Sequence, residues 1–196
     1  MSEFEYITVL VSIVIGLGVT QLLSGIARLV RDGRALAPAW WVIVVVATLL
    51  LGNFQVWWVS FGWRHLADWT FFSYLAFMIL PVLLYLLAYL VLPADLHLGG
   101  TELAQEFIRK RKPFYTIVAL IPLASFFQQW MFNHSPPPAD LDTGLRLLWL
   151  VVATPGFVSS RVRVQAAVAV LGLALMLVYI ELLFVQIGRA SGRERG

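Results

Sequence analysis

Six long apolar stretches dominate the chain and limit what it can fold into. They cover residues 4–30, 40–63, 70–93, 114–133, 141–158 and 164–187. A hydrocarbon core about 30 Å thick needs roughly 20 apolar residues in a helix, which matches these lengths. Barrel strands alternate between apolar and polar residues, whereas these stretches are continuously apolar. The sequence therefore predicts an all-α, polytopic integral membrane bundle of six transmembrane helices, forming a single unit over residues 1–187.

Composition supports a membrane environment and argues against a nucleic-acid partner. Hydrophobic residues make up 60% of the chain and charged residues only 13%, about half the charged share of a soluble domain. The net charge of +3 does not indicate nucleic acid, because the basic residues lie in short clusters at the ends of the apolar stretches. The lipid bilayer is therefore the expected partner.

Basic residues also predict the topology, because nearly all of them fall in alternate connections. The first, third and fifth connections carry Arg28, Arg31, Arg34, Arg109, Lys110, Arg111, Lys112, Arg161 and Arg163. Connections rich in Lys and Arg remain on the cytoplasmic side. We therefore expect the N-terminus to be outside, in a multi-pass protein of the cell membrane, of the bacterial inner-membrane type.

The longest cytoplasmic connection contains an amphipathic segment, TELAQEFIRKRK, at residues 101–112. Leu103, Phe107 and Ile108 share one side of a helix, and the segment ends in basic residues. We expect one cytoplasmic interfacial helix along the inner membrane surface, with its basic end near anionic lipid. A docking site for a soluble partner is the alternative interpretation.

Small residues recur at four-residue spacing along the first stretch, at Ser12, Gly16, Thr20 and Ser24. Such a stripe lets a second helix approach closely in a membrane. It therefore predicts a helix-packing stripe, with the first span near the centre of the bundle. A pore or substrate wall is the alternative role.

Four amide side chains in the second and fourth apolar stretches are candidate site residues: Asn53, Gln55, Gln128 and Gln129. Amides often hydrogen-bond between membrane helices, which gives them a structural role. The alternative is an intramembrane polar cavity that opens to the outer side and also includes Glu181. Both interpretations follow from the cost of leaving a polar group unpaired in lipid.

Glu181 is the acidic residue that lies well inside a stretch, and Arg146 lies at a comparable depth near the start of the fifth. A carboxylate in the hydrocarbon region needs a counter-charge or a function. We therefore expect a structural Arg146–Glu181 ion pair. The alternative is a role for Glu181 in handling protons or cations.

The last eleven residues, 186–196, read QIGRASGRERG. They resemble QIGRASCRERV, the translation of a common short-read sequencing adapter, and differ from it at Gly192 and Gly196. The hypothesis is that this tail is not native and that the natural gene continues past Val185, so the tail takes no part in the arguments on topology. Amplification of the locus from the source DNA tests this, and a natural stop codon directly after Gly196 would contradict it.

Catalytic and metal chemistry have little support in the sequence. His65, His97 and His134 lie at the ends of the stretches, and there is no cysteine. We therefore expect no cofactor, no metal and no catalytic residue. The leading functional hypothesis is that the chain binds or passes a small solute or ion through the outward-facing polar cavity. The alternative is a non-transporting accessory or scaffold subunit, and either protein is expected to be a homo-oligomer or a subunit of a membrane complex.

Overall fold

A computed structural model describes residues 3–31, 37–65, 69–92 and 100–193, with side chains over 4–31, 37–64, 69–92 and 100–182. Its helices are α1 (Glu3–Arg31), α2 (Trp40–Ser60), α3 (Phe71–Val91), α4 (Gly100–Asn133), α5 (Leu141–Val158) and α6 (Val162–Arg193). Short 3-10 turns lie at Ala37–Ala39 and Phe61–His65. Within the described ranges all regular structure is helical, and six helices are long and apolar enough to cross a membrane. The predicted all-α bundle of a multi-pass membrane protein is confirmed.

Five of the helices form a closed ring. Helices α2, α3, α4, α5 and α6 each contact the next in chain order, and α6 packs against α2 to complete the circle. The arginine-rich end of this ring, where α2, α4 and α6 begin, has the larger apolar core, which includes Trp41, Leu87 and Phe107. A smaller core at the opposite end includes Phe77 and Phe132.

Helix α1 lies outside the ring, against α2 and α3, and not at the centre as we had expected. One residue of the predicted packing stripe takes part in this contact, since Ser12 Oγ accepts a hydrogen bond from Trp57 Nε1 of α2 at 3.3 Å. Gly16 and Thr20 are exposed, and a Cβ added at Gly16 would meet nothing within 4 Å. Close approach occurs instead at Gly18 and Gly25, and a Cβ at Gly25 would lie 2.5 Å from Leu92 Cδ1.

The amphipathic segment 101–112 is helical, but it is the first part of α4 and not a separate interfacial helix. Leu103 and Phe107 are buried, and the Phe107 ring meets the Trp41 ring edge-on at 5.0 Å between centroids. This burial against the start of α2 holds the segment in line with the span. The helix also continues through Pro113, as membrane helices often do when neighbouring groups replace the lost hydrogen bond.

Two of the helices begin with side-chain caps. At the start of α3, Thr70 and Ser73 form a reciprocal capping box. At the start of α5, the Thr143 backbone N–H donates to Asp140 Oδ1 at 2.9 Å. These caps satisfy backbone donors that have no partner within the helix.

We expect the start of α5 to loosen in acid, once the pH falls below 3.8, the ordinary pKa of an aspartate. The hydrogen bond from the Thr143 backbone N–H lowers the pKa of Asp140 from that value. A lowered folded-state pKa means that the cap contributes fully above the unfolded pKa and is lost as the pH falls through the folded one. Amide hydrogen exchange at Thr143 measures this, with Asp140→Asn as the control that cannot titrate. An equal acid response in both proteins would contradict the prediction.

The backbone of α6 continues to Arg193. The side chains of the adapter-like tail, residues 186–196, lie outside the described part of the chain. The hypothesis that this tail is not native stays a prediction.

Candidate ligand cavity

A cavity of about 220 Å³ lies inside the ring of α2 to α6. All five ring helices line it, whereas α1 contributes Val11. Its walls are mainly apolar and include Val45, Leu49, Leu84, Val118, Ile121, Trp149, Val152 and Met176. The wall therefore differs from the polar cavity expected from the sequence, because the amides occupy one end of it only.

The cavity is elongated along the helices. Its lining extends from Val45 to Ser60 on α2 and from Phe114 to Gln128 on α4, which at 1.5 Å per residue is about 20 Å along the helices. Gly52 and Gly172 also face it. A Cβ added at Gly172 would lie 3.5 Å from the Trp149 ring, in ordinary contact, so a larger side chain there would project into the space.

Thr48 and Tyr115 line the cavity toward the arginine-rich connections, and its other main polar groups lie at the opposite end. Gln55, Ser125, Gln128, Arg146 and Tyr179 line it there. Gln128 is buried, and its Nε2 donates to the Ala76 carbonyl at 2.7 Å, which ties α4 to α3. This end therefore combines a cation with several neutral hydrogen-bonding groups.

Arg146 is the centre of a hydrogen-bond network that joins three helices. Its Nε and Nη2 donate to the two oxygens of Asp142, one turn earlier on α5. Its Nη1 donates to Ser125 Oγ at 2.9 Å and to Gln129 Oε1 at 3.2 Å, both on α4. From α6, the Tyr179 hydroxyl donates to Asp142 Oδ1 at 2.6 Å. The charges of Arg146 and Asp142 balance, so the cluster is formally neutral.

At the arginine-rich end a second cluster closes the cavity, and we name it the Tyr115 lock. The Tyr115 hydroxyl donates to Gln165 Oε1 at 2.8 Å, and Gln165 Nε2 donates to the carbonyls of Gly156 at 2.8 Å and Ser159 at 2.6 Å. Gln165 is 0% exposed. The lock therefore fastens α4, α5 and α6 together beneath the cavity.

The amides predicted from the sequence have different positions. Gln55 and Gln128 line the cavity, while Gln129 contacts Arg146. Asn53 is fully buried but faces α1, with its Oδ1 3.1 Å from the position of a Cβ on Gly18. Glu181 is exposed on α6 and does not line the cavity.

The ion pair of Arg146 also differs from the expected one. Asp142, and not Glu181, is the carboxylate that Arg146 contacts. Side chains four residues apart lie next to each other on a helix, so Asp142 is adjacent to Arg146 before any tertiary contact forms. This four-residue spacing is the signal in the sequence that indicates the Arg146–Asp142 pair.

Sequence reasoning missed several site residues, namely Tyr115, Ser125, Asp142, Gln165 and Tyr179. Tyr115 and Tyr179 lie in apolar runs, where a tyrosine gives no indication of which neighbours it will meet. Their partners come from other helices or from distant positions in the chain. Only the arrangement of the ring brings these groups together.

Comparisons with known proteins identify no relative of this chain. The cavity, its polar end and the Tyr115 lock are therefore the observations that bear on function. Protein-family models, curated proteins and solved structures were each compared with this chain, and none of them gave a match.

Proposed function

We propose that this protein binds a small, mainly apolar molecule inside the ring of α2 to α6. The observation that carries the proposal is the cavity of about 220 Å³ with apolar walls and one polar end. An apolar cavity of about 150 Å³ can hold benzene, while pockets for larger ligands are about 300–1,000 Å³. The space therefore suits a small molecule or one chain of a lipid.

The predicted topology indicates which end of the proposed site faces each side of the membrane. If the arginine-rich connections face the cytoplasm, the polar end with Arg146 faces the outer side. Val59, which is 43% exposed, lines the cavity near this end and gives it contact with the surroundings. The Tyr115 lock and the aromatic core around Trp41 and Phe107 lie at the other end. This arrangement favours binding from the outer side over passage across the membrane.

Filling the cavity tests the proposal. In Gly172→Leu the new side chain enters the space beside Trp149. Photolabelling with a phenyl diazirine, a compact apolar probe, is expected to reach the deep lining residues Leu87 and Val118 in the natural protein. We expect labelling at these residues to fall at least fivefold in the variant. Val151, which is 66% exposed on α5, reports lipid-side labelling and is expected to stay constant.

Gly16→Leu is the matched control, because Gly16 is exposed on α1 and an added Cβ there meets nothing within 4 Å. It makes the same chemical change away from the cavity and should leave labelling of Leu87 and Val118 unchanged. The proposal fails if the probe does not reach these residues in the natural protein, or if Gly172→Leu labels like the control.

A second candidate function is that of a non-transporting accessory or scaffold subunit. The exposed outer face of α1, with Gly16 and Thr20 on it, favours this function because a second membrane helix could approach there. Copurification from native membranes separates the two functions. A stoichiometric heterologous partner that is lost in Gly16→Leu supports the accessory function, and a chain that purifies alone argues against it.

A further inference from the structure

The cavity has a shape that restricts the kind of molecule it can hold. A volume of about 220 Å³ extends over about 20 Å of helix length. A compact ring of that volume would occupy part of the length and leave the rest empty. An extended chain fills it from end to end, and unfilled apolar space costs the dispersion contacts of its walls.

The polar end restricts the head of the ligand. A guanidinium has five N–H donors, and Arg146 uses the Nε hydrogen, both Nη1 hydrogens and one Nη2 hydrogen on Asp142, Ser125 and Gln129. One donor remains. A carboxylate or phosphate is bound best by two parallel N–H groups, and here Asp142 already receives that pair. The amide of Gln55, which also lines this end, adds a neutral donor and acceptor.

We infer that the ligand is a linear, single-chain amphiphile with an uncharged hydrogen-bonding head, its head beside Arg146 and its chain extended toward the Tyr115 lock. This inference rests on the proposed function and specifies the class of its ligand. Long-chain alcohols and monoacylglycerols have the required chemistry. The apolar walls receive the chain, and the amide of Gln55 offers the head a neutral donor and acceptor beside Arg146.

Retention of alkanols by the protein tests the inference. The full chain is reconstituted in phosphatidylcholine vesicles loaded with hexanol, dodecanol or hexadecanol, and the bound alcohol is quantified by native mass spectrometry. We expect retention of hexadecanol to exceed that of hexanol at least tenfold. Palmitate has nearly the same alkyl chain but a charged head. We expect the protein to retain at least fivefold less palmitate than hexadecanol.

The orientation of the bound alcohol is tested by combining alcohols of different chain length with a variant whose cavity is blocked. Gly172 lies seven residues before Tyr179 on α6, which is about 10 Å below the polar end. Gly172→Leu should therefore reduce retention of hexadecanol and leave that of hexanol unchanged, while Gly16→Leu changes neither. Ala169→Leu, one turn deeper among the lining residues, replaces Gly172→Leu if that variant does not fold.

Three results would overturn the inference: equal retention of short and long alcohols, stronger retention of palmitate, or an equal effect of Gly172→Leu on every chain length. If deep photolabelling by the diazirine persists alongside any of them, the cavity still binds an apolar molecule of another shape. Loss of both alcohol retention and deep labelling refutes the proposed function as well.

Discussion

Replacement of Gly156 by alanine is expected to destabilise the protein by about 2–3 kcal/mol, the cost of forcing an extra group into a packed interior. A Cβ at Gly156 would lie 2.2 Å from Cζ of Tyr115 and 2.5 Å from its hydroxyl oxygen. The tyrosine ring is buried and its hydroxyl donates to Gln165. The ring therefore cannot move away without breaking that hydrogen bond.

Gly144→Ala is the matched control on the same helix, because an added Cβ at Gly144 meets nothing within 4 Å. Alanine is favoured over glycine in a helix by about 0.5–1 kcal/mol, so this variant should be neutral or more stable. Thermal unfolding in detergent micelles, followed by circular dichroism, gives the comparison.

The clash with Tyr115 can be tested separately by combining two changes. Tyr115→Leu removes the ring that the alanine meets, so the two substitutions should not be additive. We expect Gly156→Ala to cost much less in the Tyr115→Leu background than in the natural chain. An equal loss of stability in both backgrounds would show that the clash with Tyr115 does not cause the destabilisation.

Replacement of Arg146 by leucine is the second large change, and we expect it to cost about 2 kcal/mol. Removing one partner of a buried ion pair costs about 3–5 kcal/mol because the other charge stays unpaired. The Asp142 side chain is 24% exposed, and the Tyr179 hydroxyl still donates to it. Both features lower the expected cost. The loss of the contacts to Ser125 and Gln129 is included in this figure.

The substitution Asp142→Asn separates the cost of the unpaired carboxylate from the cost of the lost hydrogen bonds. In the double variant Arg146→Leu with Asp142→Asn no charge is left, so stability should recover by at least half of the loss. Arg163→Leu, at an exposed position on α6, is the control and should change stability by less than about 0.5 kcal/mol. Unfolding in micelles measures all of these variants. A double variant as unstable as Arg146→Leu would show that the charge of Asp142 is not responsible.

The helices of this protein could be predicted from the sequence because length and hydropathy determine what a bilayer accepts. Their arrangement could not. Helix α1 has small residues on two faces, and the stripe through Gly16 is the more regular of the two. The face through Gly18 and Gly25 is buried instead, because Tyr85 of α3 and Leu92, directly after α3, fit against it. That fit depends on the shape of another helix, which spacing along α1 does not contain.

The sequence predicts the residue types at the candidate site better than it predicts which of them contact one another. Gln55 and Gln128 are polar residues in apolar runs, and their position at the cavity follows from the cost of leaving an amide in lipid. Similar depth predicts Glu181 as the partner of Arg146, but the local spacing to Asp142 is the stronger determinant. The Gln165 contacts involve the Gly156 and Ser159 carbonyls near the end of α5. Backbone acceptors of this kind leave no pattern in the sequence.

The contact between α6 and α2 has a consequence for biogenesis. Each ring helix packs against the one synthesised just before it, but the circle is complete only when the last helix reaches the first. If the helices insert in chain order, we therefore expect the inner wall of the ring to contact lipid until α6 packs against α2. We expect closure of the ring by α6 either to expel these lipid chains or to enclose one of them.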